Sequence, residues 1–229
     1  PEPCHLEREA CLKDYLLSSP IRGGNSITGP IALWGIALLM AYRYGFASHG
    51  RFEAETLYAQ LRDHYYLDGR LQRGRHEGET LGPASLEDQA AYLLLGTYLY
   101  EERSAVVTKE TLLDGKQELL RYQEDDLWHV STNGPFSYPG EVIDDGGFSG
   151  VSLANLAKFR IAELFDESAF RFHLREVRYH DGWNLLAWMS AGNVMVIGSP
   201  ERLSFSRLPF SVIQTPASTY WFMYQGKQV

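Results

Sequence analysis

Cysteine is almost absent from this 229-residue chain: only Cys4 and Cys11 occur. On a helix, residues seven apart share a face but stand ~10 Å apart along the axis, farther than a disulfide reaches. The two are expected to be free thiols of a reducing compartment, and no Cys-x-x-Cys or zinc-ligand spacing accompanies them. Basic runs are lacking too. With 21 Lys and Arg against 29 Asp and Glu the net charge is −8, which argues against a nucleic acid or an anionic membrane as partner. The longest apolar run, Pro30 to Tyr42, falls short of the ~20 residues a membrane span needs. No signal-peptide pattern precedes it, so cytoplasm is the expected location. No two of the seven histidines sit at His-x3-His spacing, and neither a helical metal site nor a cofactor is expected.

What is present is apolar and aromatic. Hydrophobic residues make up 45% and aromatic ones 13%, enough for a large core, or for a core with a sugar-stacking cleft. Three segments carry apolar residues on more than one face, as helices enclosed by other helices do. They run from Pro30 to Phe46, Leu86 to Tyr100 and Gly150 to Phe165. Each follows a Gly-containing turn with a capping residue. Thr28 with Pro30 suggests an N-cap followed by a helix-starting Pro; Ser85 with Asp88 spells a capping box; Ser149 follows "DDGGF".

A more amphipathic helix is expected after each. Ala54, Leu57, Tyr58, Leu61 and Tyr65 form one helical stripe. Leu112, Leu113, Leu119 and Leu120 form another, weakened by Gly115. In "ESAFRFHLREVRYH" the spacing of Phe170, Leu174 and Val177 fits a third helix, although Phe170, Phe172 and Leu174 also alternate like a strand. Long Gly- and Asp-rich connectors, each with a short alternating piece, follow the first two pairs. The unit is thus buried helix, amphipathic helix, connector, with a period of roughly 50 to 65 residues, as in a helical array or toroid. "NVMVIG", "FSVIQ" and "TYWFMY" are expected strands, preceded by a helix near Trp183 to Met189. The expected fold is all-α: a partial (α/α) toroid of about three to four helical hairpins over residues 1–192, with a small β appendage over 193–229.

The order of "SITGPIALWGIALLMAY", "DGRL", "LGPASLEDQAAYLLLGTYLYEE", "DDGGFSGVSLANLAKFRIAELF" and "NVMVIG" resembles the second half of the six-hairpin, glycosidase-like α/α toroid of YyaL-type proteins. That family carries a thioredoxin-like domain ahead of the toroid. The resemblance covers the chain from about residue 20, and Leu86-Glu87-Asp88 is its most specific piece. At the head of the first buried helix the family usually has Thr-Ala-Trp-Asn-Gly; here Pro30 replaces the Trp and Ile31 the Asn. Before the third it usually has Asp-Gly-Ala-Glu-Pro-Ser-Gly-Asn-Ser; here Gly147 replaces the Glu and Val151 the Asn. The family's C-terminal Cys-x4-Cys pair has no counterpart in "YWFMYQGKQV", and the resemblance does not extend to the thioredoxin-like domain or the first half of the ring. Polar groups that would face the pit are lost at two of three helix heads.

Glu87 and Asp88 are the first candidates for chemistry, as pit-facing acid or base acting on a sugar. A glycosidase holds two carboxyls ~5 to 9.5 Å apart across the scissile bond, whereas neighbours on a helix point ~100° apart. Capping and dipole stabilisation is the stronger reading for this pair. Asp144 and Asp145 are candidates for the second carboxyl, though "DDGG" is also a turn with its own Asx hydrogen bonds. His129 and His76 lie in connectors that overhang the expected pit. In sugar epimerases of related toroid shape, paired His residues move the proton. Trp128 is the best sugar-stacking candidate.

Two functions follow as expectations. One is a degenerate, non-catalytic six-hairpin module acting as scaffold or partner-binding domain. The other is a carbohydrate-active enzyme, a sugar epimerase or isomerase or a glycoside hydrolase, completed by another chain and using a pit-facing carboxylate or His. An open ring would leave apolar helix sides uncovered, so a homo-oligomer or a partner chain completing the toroid is expected. A carbohydrate is the expected ligand class.

Overall fold

A computed structural model of the chain describes residues 25–125, 127–132, 137–140, 149–165, 194–198, 212–214, 221–224 and 227–228. The expected helices at residues 167–180 and Trp183 to Met189, and both cysteines, lie outside these.

The described region is helix-rich, with small, mostly antiparallel strands. The first helix, α1, spans Thr28–Arg43 and follows strand β1, Asn25–Ile27. Helix α2 spans Gly50–His64. The connector after it holds two hairpins, β2 (Tyr66–Leu67) with β3 (Arg70–Leu71), and β4 (Gly74–His76) with β5 (Glu79–Thr80). Strand β1 pairs antiparallel with β4, with Ser26 opposite Arg75. Helix α3 spans Leu86–Glu101 and α4 spans Lys109–Leu120. A hairpin of β6 (Gln123–Glu124) and β7 (Leu127–Trp128) follows, then α5 over Gly150–Leu164. The tail strands β8 (Val194–Gly198), β9 (Val212–Gln214), β10 (Trp221–Tyr224) and β11 (Lys227–Gln228) form one sheet in the order β11-β10-β8-β9, with β8 and β9 parallel.

The apolar pattern explains the layers. The stripe Ala54, Leu57, Tyr58, Leu61 and Tyr65 is buried throughout, as are Leu112 and Leu119. Both amphipathic helices therefore lie with one face inward. Helix α3 is buried on nearly every side, Ala90, Ala91, Leu95 and Leu99 completely so. It packs against α1 and α5 on its flanks and against α2 and α4. Tyr92 of α3 stacks on Tyr58 of α2, centroids 4.7 Å apart, with Tyr66 edge-on to Tyr92 at 5.8 Å.

Contacts at both ends show that α1, α3 and α5 run parallel. At their heads, Gly29 of α1 bonds Asp88 of α3, and Gly150 of α5 lies against the Glu87 backbone. At their tails, Arg43 meets Glu101 and Glu102, and Tyr100 meets Phe165 edge-on at 5.4 Å. Helices α2 and α4 form the second layer of this row. The repeat expected from the sequence is visible in the connectors. Each folds back on the head of its own inner helix: the Thr28 N–H donates to the Arg73 carbonyl, and the Leu86 N–H to the Val130 carbonyl. The bonds Gln72 N–H to Tyr65 O and His129 N–H to Tyr122 O, and the bridges Gln72–Pro83 and His129–Pro139, match in the same way.

Three local expectations are corrected. Thr28 is the first residue of α1 rather than its cap. The cap position is Ile27, which has no side-chain bond, and the Thr28 hydroxyl donates to the Gln72 carbonyl at 2.6 Å. The head is satisfied from the connector, so a local cap is not needed. Helix α1 stops at Arg43 instead of Phe46 because Gly45, at φ 73°, takes the left-handed conformation that ends helices. Gly115 is no weak point: a Cβ there would sit 2.8 Å from Leu93 Cδ1, so its missing side chain lets α4 approach α3.

The tails are joined by charge. Glu101, fully buried, lies between Arg43 (2.9 Å) and Arg160 (2.5 Å), and Arg43 also takes Glu102 at 2.6 Å. Arg160 Nε donates to the Thr97 hydroxyl at 3.1 Å, and its guanidinium covers the Tyr98 ring at 3.8 Å. Burial pushes the Glu101 carboxyl up, but the two guanidiniums outweigh it and hold the pKa below the ordinary value. Removing one partner of such a buried network strands a charge, which costs ~3–5 kcal/mol, against ~0–1 for a surface pair. Glu101→Met, which leaves the buried Arg160 guanidinium without a carboxylate, is therefore expected to lower unfolding free energy in urea by about 3–5 kcal/mol. Arg121→Ala, which breaks the exposed pair with Glu118, should cost less than about 1 kcal/mol. Equal losses would show that the buried network is not what joins the tails.

Candidate functional site

The heads of α1, α3 and α5 are where the sequence places most of its candidate chemistry. Ser85 caps α3: its hydroxyl oxygen accepts from the Asp88 N–H, and Asp88 Oδ2 accepts from the Ser85 N–H at 2.9 Å and from its hydroxyl at 2.7 Å. This is the capping box expected from the sequence. The other oxygen, Oδ1, accepts the Gly29 N–H of α1 at 2.8 Å. Asp88 is 3% exposed. One carboxylate thus serves the first turns of two helices, and both its oxygens are taken. A Cβ on Gly29 would stand 2.9 Å from Oδ1, so the close approach depends on that glycine.

Glu87 is different. The residue is exposed. Partial burial, then the adjacent Asp88 carboxylate, push its pKa up, with Arg73 pulling the other way. The α5 head closes on its backbone: a Cβ at Gly150 would lie 3.2 Å from the Glu87 nitrogen. Ser149 caps α5 by accepting the Ser152 N–H at 3.1 Å.

Trp128 lies between these heads but faces inward. It is 6% exposed, its indole N–H donates to Asn155 Oδ1 of α5 at 3.1 Å, and the Lys158 ammonium lies 5.2 Å from the ring centre. His129, next to it, is half-buried, with Nδ1 3.3 Å from the Ser137 hydroxyl and Nε2 4.0 Å from the exposed Glu124 carboxylate. His76 is exposed at the end of β4, opposite Asn25. Asp144 and Asp145 lie outside the described residues. The structure therefore brings Glu87, Asp88, Trp128 and His129 to the same end of the helical row, with Asp88 and Trp128 committed to internal bonds.

Among the described residues no cluster of three His, Cys, Asp or Glu is placed to hold a metal, and no helix is long and apolar enough to cross a membrane. A cavity of about 230 Å³ opens between α1, the end of α2 and β4, lined by Ile31, Gln60, Leu61, His64, Tyr65 and Arg75. Glu87, Asp88, Trp128, His129 and His76 do not line it, whereas Ile31, at the position where the resembled family has Asn, does. The Arg75 guanidinium donates to the carbonyls of Gly78 (2.6 Å) and His64 (3.4 Å), where it meets the negative end of α2.

The charged group that sequence reasoning missed is Arg43–Glu101–Arg160. Its signal in the sequence is weak: Arg43 is the lone charge of α1, but Glu101 stands beside Glu102, and Arg160 lies between Lys158 and Glu163. Compared with protein-family models and with curated proteins, the chain matches none.

Two outcomes are expected at the heads. Asp88→Ala leaves the Gly29 and Ser85 N–H groups without their acceptor, and each buried unsatisfied group costs ~1–3 kcal/mol. It should lower urea stability by about 2–4 kcal/mol, whereas Ser85→Ala, losing only the cap, should lose about 0.5–2. Equal, small losses would exclude Asp88 as the link between helices. For Glu87, a raised folded pKa gives a contribution fully present below its unfolded pKa, near 4.3, and lost as pH rises through the folded value. The urea midpoint of Glu87→Gln, relative to the unsubstituted protein, should therefore be more favourable at pH 7 than at pH 3.5. No pH dependence of that difference would contradict the raised pKa.

Proposed function

We propose that this chain is a non-catalytic helical-hairpin module, of the six-hairpin glycosidase-like kind, that acts as a scaffold binding a partner. The observation that carries this reading is the use made of Asp88. In a working pit the polar groups at the inner-helix heads would be turned to a substrate. Here both Asp88 oxygens are filled by Ser85 and Gly29, and Ile31, at the position where the resembled family has a polar Asn, is 1% exposed in the core. Trp128, the best sugar-stacking ring, is buried with its N–H bonded to Asn155.

The partner-binding half of the reading rests on an exposed aromatic corner. Where α1 turns into α2, Tyr42, Tyr44, Phe46 and Phe52 are 37%, 44%, 51% and 70% exposed. Clustered large apolar side chains on a surface mark interaction sites. The occupant that fits the toroid picture is a second copy or another chain that supplies the rest of the ring.

A second reading is kept because of Glu87. An exposed carboxyl with a raised pKa is the kind of group that serves as a general acid. With a second carboxyl from a partner chain, the site would act as a sugar epimerase or glycoside hydrolase at the same helix heads.

One set of measurements separates the readings. Size-exclusion chromatography with light scattering at micromolar concentration should give a mass above the 26.0 kDa of one chain, and Phe46→Ser with Phe52→Ser should reduce it. Nitrophenyl glycosides and free aldoses should be neither hydrolysed nor isomerised. A monodisperse monomer that binds no apolar dye would overturn the partner reading. Turnover that is lost in Glu87→Gln, with unfolding still cooperative and no less stable, would overturn the non-catalytic one.

A further inference from the structure

We draw no further inference here: the strongest candidate, the exposed aromatic corner of Tyr42, Tyr44, Phe46 and Phe52 between α1 and α2, belongs to the partner-binding reading already given, and nothing in the structure shows what covers it.

Discussion

Three helices laid side by side in one direction bring like ends together. The heads of α1, α3 and α5 each present unpaired N–H groups and a partial positive charge; their tails present unpaired carbonyls and a partial negative one. Such a row is opposed by its own dipoles unless counter-charge is built into each end. At the heads, Asp88 supplies it, buried between α1 and α3 and bonded to both. At the tails, Arg43 and Arg160 supply it, and Glu101 holds the two guanidiniums at one point. The rest of the described fold, from the second layer of α2 and α4 to the connector hairpins, is arranged around keeping these ends satisfied.

The connectors do the remaining part of that work. Because each returns to the head of its own inner helix, its backbone carbonyls replace the caps that α1 lacks. Thr28 gives both its N–H and its hydroxyl to the connector, to Arg73 and Gln72. Tight Asp-Gly and Glu-Gly turns make the return short. Asp68 and Gly69 have φ of 51° and 73°, and Glu77 and Gly78 have 48° and 92°, the left-handed pair that matches strand twist. A connector carbonyl that accepts a helix-head N–H leaves that N–H unavailable to a ligand.

Local patterns were legible in the sequence, and long-range partners were not. The α2 stripe from Ala54 to Tyr65 is buried as its spacing implies, because one-sided burial writes itself into helical period. The Ser85–Asp88 box was legible because both members sit within one turn. The second task of Asp88 was hidden: its partner, Gly29, is 59 residues away. Thr28 looked like a cap for the same reason, since hydroxyl spacing does not reveal a carbonyl 44 residues on. Gly115 looked like a defect because propensity counts a glycine against its own helix, while the structure uses it for the neighbouring one. Trp128 looked available in a polar connector, yet its position is set by Asn155 in a helix not then paired with it.

These same distinctions bear on function. A carboxylate whose two oxygens accept three hydrogen bonds from groups of its own fold is held still, with neither oxygen left for a substrate. A general acid needs the opposite: a proton held near working pH and an exposed route to substrate. Asp88 meets the first description, through its bonds to Gly29 and Ser85. Glu87 is exposed, and partial burial, then Asp88, raise its pKa. The structural acid thus helps set the proton affinity of its neighbour. Any chemistry retained at these heads would run through Glu87, with Asp88 as the fixed charge behind it, and it would need a second carboxyl that the helical row does not bring to Glu87 among its described residues.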